Sequence, residues 1–249
     1  MTFDLSALHT EFAAWRAADM RLPIWWRDDD AIQPTPELDR LSAIARRSGV
    51  PVHLAVIPKF ADHHLATRLE NAPEVVPVVH GWAHQNHAPA GTKKTEFGIA
   101  RTDAAKDAIA GLTKLRELFG DHLVPMFVPP WNRIDSGIFE ALVNAGYETL
   151  STFTPRSIAE PVSGLTQINT HIDPIDWHGT RGIVEPYELI SGIVRLLQDR
   201  RSAKTDNAEP LGLLTHHLVH PPEVWDFTEQ LLNALVSGPT DVFCARPPL

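Results

Sequence analysis

The chain has 249 residues, of which 43% are hydrophobic and 21% are charged, so it can bury a large core without disulfides and has the composition of an ordinary soluble enzyme. Its net charge of −9 at pH 7 excludes the basic footprint of a nucleic-acid-binding protein and argues against an anionic membrane surface as a partner. Its one cysteine, Cys244, excludes an intrachain disulfide and a cysteine zinc site.

The first residues, 1–5, include an acid and lack both a basic and an apolar run, so we expect no signal peptide. No run of about 20 apolar residues occurs, and we expect no transmembrane helix. No low-complexity linker divides the chain. We therefore expect a cytoplasmic protein with a single domain over residues 1–249.

Short apolar strands alternate with helical patterns along the whole chain. In order, they are a helix near 4–19, a strand at 22–26, a helix at 35–48, a strand at 52–58, a helix near 61–71, a strand near 74–79, a helix near 101–119, a strand at 125–128, a helix near 135–145, strands near 147–153 and 166–172, a helix near 185–199, a strand at 211–216, a helix near 221–236 and a strand at 242–244. This alternation indicates parallel βαβ units. In such folds the catalytic residues collect at the carboxyl ends of the strands.

Three consecutive aspartates, Asp28, Asp29 and Asp30, follow the first predicted strand. Adjacent carboxylates repel one another unless a cation or an arginine lies among them. A solvated loop and a metal site explain the run about equally well. A metal-dependent hydrolase would need one carboxylate as a ligand and a second as a base beside the metal.

Two histidines, His80 and His84, follow the third predicted strand. If the chain turns helically after Gly81, both imidazoles lie on one face, with their Cβ atoms about 5–6 Å apart. Most isolated pairs of this spacing are exposed loop histidines without a shared ligand. Here, however, six of the 13 histidines fall in the two strand-end runs 80–87 and 216–220, and this concentration favours a site.

A proline pair precedes Trp131 after the fourth predicted strand. Two prolines fix the backbone and remove two N–H groups, so the amide of Trp131 points in a set direction and could serve an oxyanion. A rigid loop anchored by a tryptophan is the simpler alternative. Further polar groups follow later strands, in Asp173-Pro174-Ile175-Asp176-Trp177 and in the histidine cluster that begins at His216.

Five short motifs therefore occur in the order acid pair, paired histidines, Pro-Pro-aromatic, Asp-x-x-Asp-Trp and Leu-x-His, and they span residues 27–216. Each motif is weak alone, but the ordered set is fairly specific. It resembles the polysaccharide deacetylase family, the NodB-like carbohydrate esterases. The resemblance implies an α/β fold, a distorted (β/α)7-type barrel with fewer than eight strands.

The resemblance also implies a metal site and a base. Asp30, His80 and His84 would hold a divalent metal ion, and Asp29 would be the catalytic base. An earlier register, with Asp28 as the base and Asp29 as the ligand, stays open. We prefer the later register because Arg27 then falls two residues before the acid pair, at a position that is polar in the family.

The other roles follow from the later motifs. The Trp131 amide would help to hold the oxyanion, and His216 would be the general acid that protonates the leaving nitrogen. Asp176 and Trp177 would shape the pocket around His216. Imidazole and carboxylate ligands suit zinc, and they also bind cobalt, nickel or iron.

Two positions depart from the family pattern. The arginine that usually precedes the proline pair is replaced by Val128, and Arg27 or Arg133 are the candidates to take its place. The glycine after the acid pair is replaced by Ala31. These departures predict a divergent member that acts on a small substrate, because an enzyme that deacetylates cell-wall glycan would also need an export signal.

The sequence thus predicts a metal-dependent hydrolase that removes an N-acyl group, acetyl in the first instance, from a sugar or small saccharide. Hydrolysis of another non-peptide C–N bond in a small metabolite is the alternative among enzymes. A catalytically silent carbohydrate-binding relative is the alternative outside them. Magnesium-dependent phosphate chemistry at the three aspartates has less support, because no glycine-rich phosphate loop accompanies them.

Overall fold

The computed structural model describes residues 1–246, in which eight parallel strands are connected mainly by helices. In chain order the elements are α1 (Ser6–Ala17), β1 (Leu22–Ala31), α2 (Pro36–Ser48), β2 (Val52–Val56), α3 (His63–Leu69), β3 (Val75–His80), α4 (Ala104–Phe119), β4 (Met126–Val128), α5 (Phe139–Ala145), β5 (Thr149–Leu150), β6 (Thr166–Gln167), α6 (Pro186–Arg201), β7 (Leu211–Thr215), α7 (Pro222–Val236) and β8 (Thr240–Val242). The strand order in the sheet is β6-β5-β4-β3-β2-β1-β7, and β8 pairs with the first residues of β1.

The two ends of this strand order meet, so the sheet curls into a barrel. Beyond β6, Thr170 pairs with Phe153 and Ile172 pairs with Leu213 of β7. The amide of Ile172 donates to the Gly212 carbonyl at 3.1 Å, and its carbonyl accepts from the Leu214 amide at 2.7 Å. Strands β1 to β7 therefore form the distorted (β/α)7 barrel that the motif resemblance implied.

Side chains along β1 alternate between the barrel interior and the surrounding helices, as the geometry of a strand requires. Trp25 belongs to a small buried cluster of strand residues inside the barrel, whereas Trp26 packs in the larger cluster that the strands share with the helices. By the same alternation Arg27 and Asp29 face the interior, and Asp28 faces the helices. The run of aspartates is therefore divided between two environments.

Several predicted boundaries differ from the observed ones. β1 continues to Ala31 and contains the three aspartates, because β2 and β7 pair with it on both sides. The strands predicted near 147–153 and 166–172 shrink to two residues each. There the Asn169 side chain accepts from the Thr152 amide at 2.9 Å and donates to the Thr154 carbonyl at 2.8 Å, replacing ladder bonds.

The helix boundaries predicted for α2 are confirmed. The Thr35 hydroxyl accepts from the Leu38 amide at 3.0 Å, and Gly49 ends the helix in the left-handed conformation, with φ of 71°. The last strand lies two residues earlier than predicted, at Thr240–Val242, where it pairs with the amino end of β1. No helix within residues 1–246 is both long and apolar enough to cross a bilayer.

Candidate metal centre and active site

The carboxyl end of β1 is irregular, and this irregularity places the aspartates. The register between β1 and β2 shifts between Asp28 and Ala31, and Asp30 has a φ of 79°. Regular alternation would leave Asp30 on the helix side together with Asp28, but a bulge breaks the alternation and redirects a side chain. Asp30 consequently reaches the two histidines that follow β3.

Asp30, His80 and His84 form a compact group of potential metal ligands. Oδ1 of Asp30 lies 3.1 Å from Nε2 of His80 and 3.3 Å from Nε2 of His84. One ligand atom from each residue lies within 4.8 Å of the other two. Two imidazoles and a carboxylate at this spacing fit a divalent cation such as zinc.

The tautomer of His80 also fits metal binding. Its Nδ1 lies 3.0 Å from the Val128 carbonyl, which can only accept, so the proton is on Nδ1. The other nitrogen, Nε2, faces Oδ1 of Asp30 at 3.1 Å and in the neutral tautomer has a lone pair that could bind a metal ion. A backbone carbonyl that orients an imidazole in this way is a common partner of metal-binding histidines.

The charges around the group favour an ionised Asp30. Burial by itself would raise the pKa of Asp30, but the hydrogen bond with His80 and the charges of His80, His216 and His84 hold this pKa below its ordinary value. Burial lowers the pKa of His84, and the neighbouring His80 lowers it further. Burial would also lower the pKa of His80, but Asp29 and Asp30 together raise it above its ordinary value.

Asp29 lies beside this group and is held by Arg27. The guanidinium Nε and Nη2 donate to the two carboxylate oxygens at 2.8 and 3.0 Å. Its remaining donors go to Oδ1 of Asn132 at 2.6 Å and to Oγ of Ser151 at 2.7 Å. Of the two arginines that the sequence offered, Arg27 is therefore the one in contact with the candidate base. Arg133 instead donates to the Lys94 carbonyl at 2.6 Å.

Asp28 is directed away from the potential ligands. Its Oδ2 accepts from the Thr215 hydroxyl at 2.6 Å and from the His217 amide at 3.0 Å, and Oδ1 is bonded to Nδ1 of His217. Burial would raise the pKa of Asp28, but the charge of His217 and its hydrogen bond lower it below the ordinary value. Of the three aspartates, Asp30 is the one whose carboxylate lies beside the two histidines.

The turn that carries His84 is fixed by Glu96, a residue that the motifs did not identify. The fully buried carboxylate of Glu96 accepts from the backbone amides of Trp82, Ala83 and His84 at 3.2, 2.8 and 3.2 Å. Gly81 begins this turn with a φ of 55°. No sequence signal indicates Glu96, because it lies in an irregular loop between β3 and α4.

Trp131 lies directly against the second histidine. The centroids of the Trp131 and His84 rings are 4.2 Å apart, and the rings are inclined by 49°. Trp131 and Asn132 have φ values of 59° and 56°, so the turn after the two prolines is tight. The side chain of Trp131 thus forms a wall of the site, in addition to the function predicted for its amide.

His216 and Trp177 come together on the side of β7. Their ring centroids are 4.7 Å apart in an edge-to-face arrangement, and Nε1 of Trp177 donates to Oδ2 of Asp173 at 2.7 Å. The His216 amide donates to Nε2 of His220 at 3.0 Å, and its Nδ1 is buried without a hydrogen-bond partner among residues 1–246. The candidate acid is thereby positioned by an indole and a second imidazole.

Asp173, rather than Asp176, is the carboxylate on this side of the site. Burial raises the pKa of Asp173, and the charge of His216 partly offsets that effect. The exposed carboxylate of Asp176 instead accepts from the amides of Gly179 and Thr180 at 3.0 and 2.8 Å and caps its own turn. The motif contains both aspartates as candidates for this position, but its sequence does not predict the turn that Asp176 caps.

A cavity of about 390 Å³ adjoins the site at Asp173. Its walls are mostly apolar and include Phe153, Ile172, Leu189 and Ile193. The three potential metal ligands are not among its lining residues, although all three belong to the described part of the chain. The cavity therefore neighbours the His216 side of the site rather than the potential metal centre.

The amino-acid sequence of this chain matches no protein-family model and no curated protein. The fold, in contrast, matches solved structures. A Mycobacterium smegmatis protein identified provisionally as a polysaccharide deacetylase is 19% identical, with a TM-score of 0.60 over 84% of this chain and 83% of that one. A family 4 carbohydrate esterase from Streptomyces lividans, solved with acetate, is 12% identical, with a TM-score of 0.55 over 90% and 92%.

The peptidoglycan N-acetylglucosamine deacetylase Bc1960 is similar to the same degree. It is 14% identical, with a TM-score of 0.55 over 91% of this chain and 88% of its own. At such low identities the likeness concerns the fold. This chain has the NodB-like fold of the polysaccharide deacetylases, as the order of its motifs predicted.

Proposed function

We propose that this chain is a metal-dependent hydrolase that removes an N-acyl group, acetyl in the first instance, from a sugar or small saccharide. The observation that carries the proposal is the convergence of Asp30, His80 and His84 beside the arginine-held carboxylate of Asp29. These groups follow different strands and meet at the carboxyl end of the barrel, where such folds perform catalysis. The solved structures of similar fold include proteins described as deacetylases and carbohydrate esterases.

Asp30, His80 and His84 would hold the metal ion. Zinc suits two imidazoles and one carboxylate best, and cobalt, nickel and iron suit the same ligands. A bound divalent cation would polarise the acyl carbonyl and lower the pKa of a nearby water molecule. The Val128 carbonyl keeps Nε2 of His80 available as a ligand.

Asp29 would take the proton from the attacking water. Both of its oxygens accept hydrogen bonds from Arg27, which fix the orientation of the carboxylate. Arg27 is itself fully buried and held by Ser151 and Asn132, so the base is rigidly supported. A general base must lie within hydrogen-bonding distance of the proton that it removes, so its position has to be fixed.

His216 would protonate the nitrogen as the C–N bond breaks, and the Trp131 amide would stabilise the negative charge that develops on the acyl carbonyl oxygen. Trp177 packs edge-on against His216 and is tied to Asp173, so it restricts the imidazole to one orientation. We therefore propose that Asp173, rather than Asp176, shapes the pocket around His216 together with Trp177. Trp131 also packs on His84 and would exclude water from that side.

The test measures zinc content and acetate release together, using a panel of N-acetylated mono- and oligosaccharides. The parent chain is expected to bind one equivalent of zinc and to release acetate from at least one panel member. Asp29→Asn should keep the zinc and lose acetate release, whereas His84→Asn should lose acetate release and bind zinc much more weakly. His64→Asn is the matched control, because Asp62, His63 and His64 form a second group of potential ligands, and all three are exposed on the surface.

Two results would redirect the assignment. A parent chain that binds zinc but releases acetate from no panel member would point to another non-peptide C–N bond in a small metabolite. A parent chain that retains no stoichiometric metal after dialysis against zinc would contradict the hydrolase and leave the carbohydrate-binding alternative. Equal losses in His84→Asn and His64→Asn would mean that the metal lies elsewhere.

A further inference from the structure

Glu96 makes an unusual set of contacts for a loop carboxylate. It is fully buried, and its two oxygens accept from three consecutive backbone amides, those of Trp82, Ala83 and His84. A carboxylate surrounded by successive N–H groups is a strong, charge-assisted arrangement. One of the three amides belongs to a proposed metal ligand itself.

The turn held by Glu96 is closely packed and strained. Gly81 has a φ of 55°, and a Cβ atom on it would lie 2.4 Å from Oε2 of Glu96 and 2.5 Å from Cδ of Pro130. His84 has a φ of 52°, which is uncommon for a residue other than glycine. Such a conformation persists only where its surroundings enforce it. Glu96 supplies that enforcement through the His84 amide.

The other two ligands do not depend on Glu96. Asp30 is placed by the bulge in β1, and His80 is the last residue of β3 and is oriented by the Val128 carbonyl. His84 alone lies on a turn without regular secondary structure. The third ligand therefore requires a separate support.

We infer that Glu96 is a positioning residue that presents His84 to the metal ion. The inference rests on the metal site proposed above and adds a residue that acts through a ligand rather than on the substrate. Loss of a partner that orients a metal ligand typically lowers metal affinity by about 10- to 100-fold. We expect Glu96→Gln to have an effect of that size, because an amide offers one acceptor oxygen and sets an NH2 group against the remaining backbone donors.

The experiment compares the zinc affinities of purified full-length variants by competition with a chromophoric chelator. Cobalt-loaded protein provides a second measurement, since the visible absorption of Co²⁺ changes when a ligand is lost. Glu209→Gln is the matched control: Glu209 is also fully buried and accepts from two backbone amides, those of Arg156 and Asn169, each at 3.0 Å. His84→Asn gives the affinity of a site with one ligand removed.

The expected result is that Glu96→Gln binds zinc about 10- to 100-fold more weakly and shifts the cobalt spectrum toward that of His84→Asn. Glu209→Gln should bind zinc as the parent chain does, even if it unfolds at a lower temperature. If Glu96→Gln does not fold, Glu96→Asp takes its place, because it keeps the charge and shortens the side chain by one methylene group.

The inference and the proposed function fail in different ways. Equal zinc affinity in the parent chain and in the folded Glu96 variant would overturn the positioning role while leaving the metal site intact. An equal loss of affinity in Glu209→Gln would also overturn it, since general destabilisation would then explain the result. A parent chain without zinc affinity would defeat the metal site and, with it, the inference.

Discussion

Arg27 and Asp29 lie two residues apart on β1 and form a bidentate ion pair inside the barrel. Their side chains are 0% and 4% exposed, and Nε of Arg27 lies 2.8 Å from Oδ1 of Asp29. In the family pattern an arginine before the proline pair is expected to orient the base, and Val128 occupies that position here. The strand that carries the proposed base Asp29 therefore also carries the arginine that contacts it, because alternate residues of a strand face the same side.

The first prediction concerns this pair. Arg27→Lys is expected to lower acetate release at least about tenfold, because an ammonium group cannot make two parallel bonds to a carboxylate. Zinc content should not change, since the guanidinium bonds to Asp29, Ser151 and Asn132 and not to Asp30, His80 or His84, the three proposed ligands. Arg27→Ala should destabilise the fold by about 3–5 kcal/mol, because Asp29 would remain buried without its partner.

Arg133→Ala is the control for that prediction. Arg133 bonds to the Lys94 carbonyl and makes no hydrogen bond to Asp29. Its removal should leave the rate of acetate release near that of the parent chain. Full activity in Arg27→Lys, measured alongside an active Arg133→Ala, would show that the base needs no bidentate support.

A second prediction tests the close approach at Gly81. Gly81→Ala and Gly91→Ala place a Cβ atom at positions with φ of 55° and 80°, so both incur the strain of the left-handed region. At Gly91 nothing lies within 4 Å of the added atom, whereas at Gly81 it would meet Glu96 and Pro130. We expect Gly81→Ala to cost about 1–3 kcal/mol more than Gly91→Ala in urea denaturation. Equal costs would mean that the turn relaxes without loss.

A third prediction concerns the dependence of stability on pH. His53 is buried inside the barrel, where Nδ1 donates to the Trp26 carbonyl and Nε2 accepts from the Ala245 amide, each at 3.0 Å. Burial is the main cause that lowers the pKa of His53 to about 4. The unfolded chain then binds this proton near pH 6.5 and the folded chain only near pH 4. Stability should therefore fall as the pH decreases from 6.5 to 4.

For His53 alone the loss should reach about 3 kcal/mol at and below pH 4. His53→Gln is a suitable reference, because its amide can make both hydrogen bonds and does not titrate. The free energy of unfolding of the parent chain, minus that of His53→Gln, should be constant above pH 6.5 and should decline below it. A difference that stays flat between pH 7 and pH 4 would contradict the assigned neutral form.

Much of the fold follows from local patterns. The cap at Thr35, the end at Gly49 and the alternation of short apolar strands with helices are properties of neighbouring residues, and the structure confirms them. The proximity of His80 and His84 could also be predicted from the sequence, because both histidines belong to one short segment. The order of the motifs then indicated Asp30 as the third potential metal ligand.

The parts that could not be predicted depend on bends and on distant contacts. Regular alternation would separate Asp29 from Asp30, and only the bulge at the end of β1 brings both to the site. Glu96 accepts hydrogen bonds from three backbone amides at the opposite end of the loop 81–96. Neither the composition nor the periodicity of the sequence indicates these contacts. Asp173 and Asp176 share one motif, and the turn that closes on Asp176 decides between them.

The last prediction separates those two aspartates. Asp173 bonds to Trp177, whose ring packs on His216, whereas Asp176 bonds only to the backbone and hydroxyl groups of its own turn within the described chain. Asp173→Asn should lower acetate release at least about tenfold, because a neutral amide holds Trp177, and through it His216, less firmly than the charge-assisted bond of a carboxylate does. Asp176→Asn should stay within about threefold of the parent rate, since a proton-transfer group is not affected. A larger loss of acetate release in Asp176→Asn than in Asp173→Asn would show that Asp176, and not Asp173, shapes the pocket around His216.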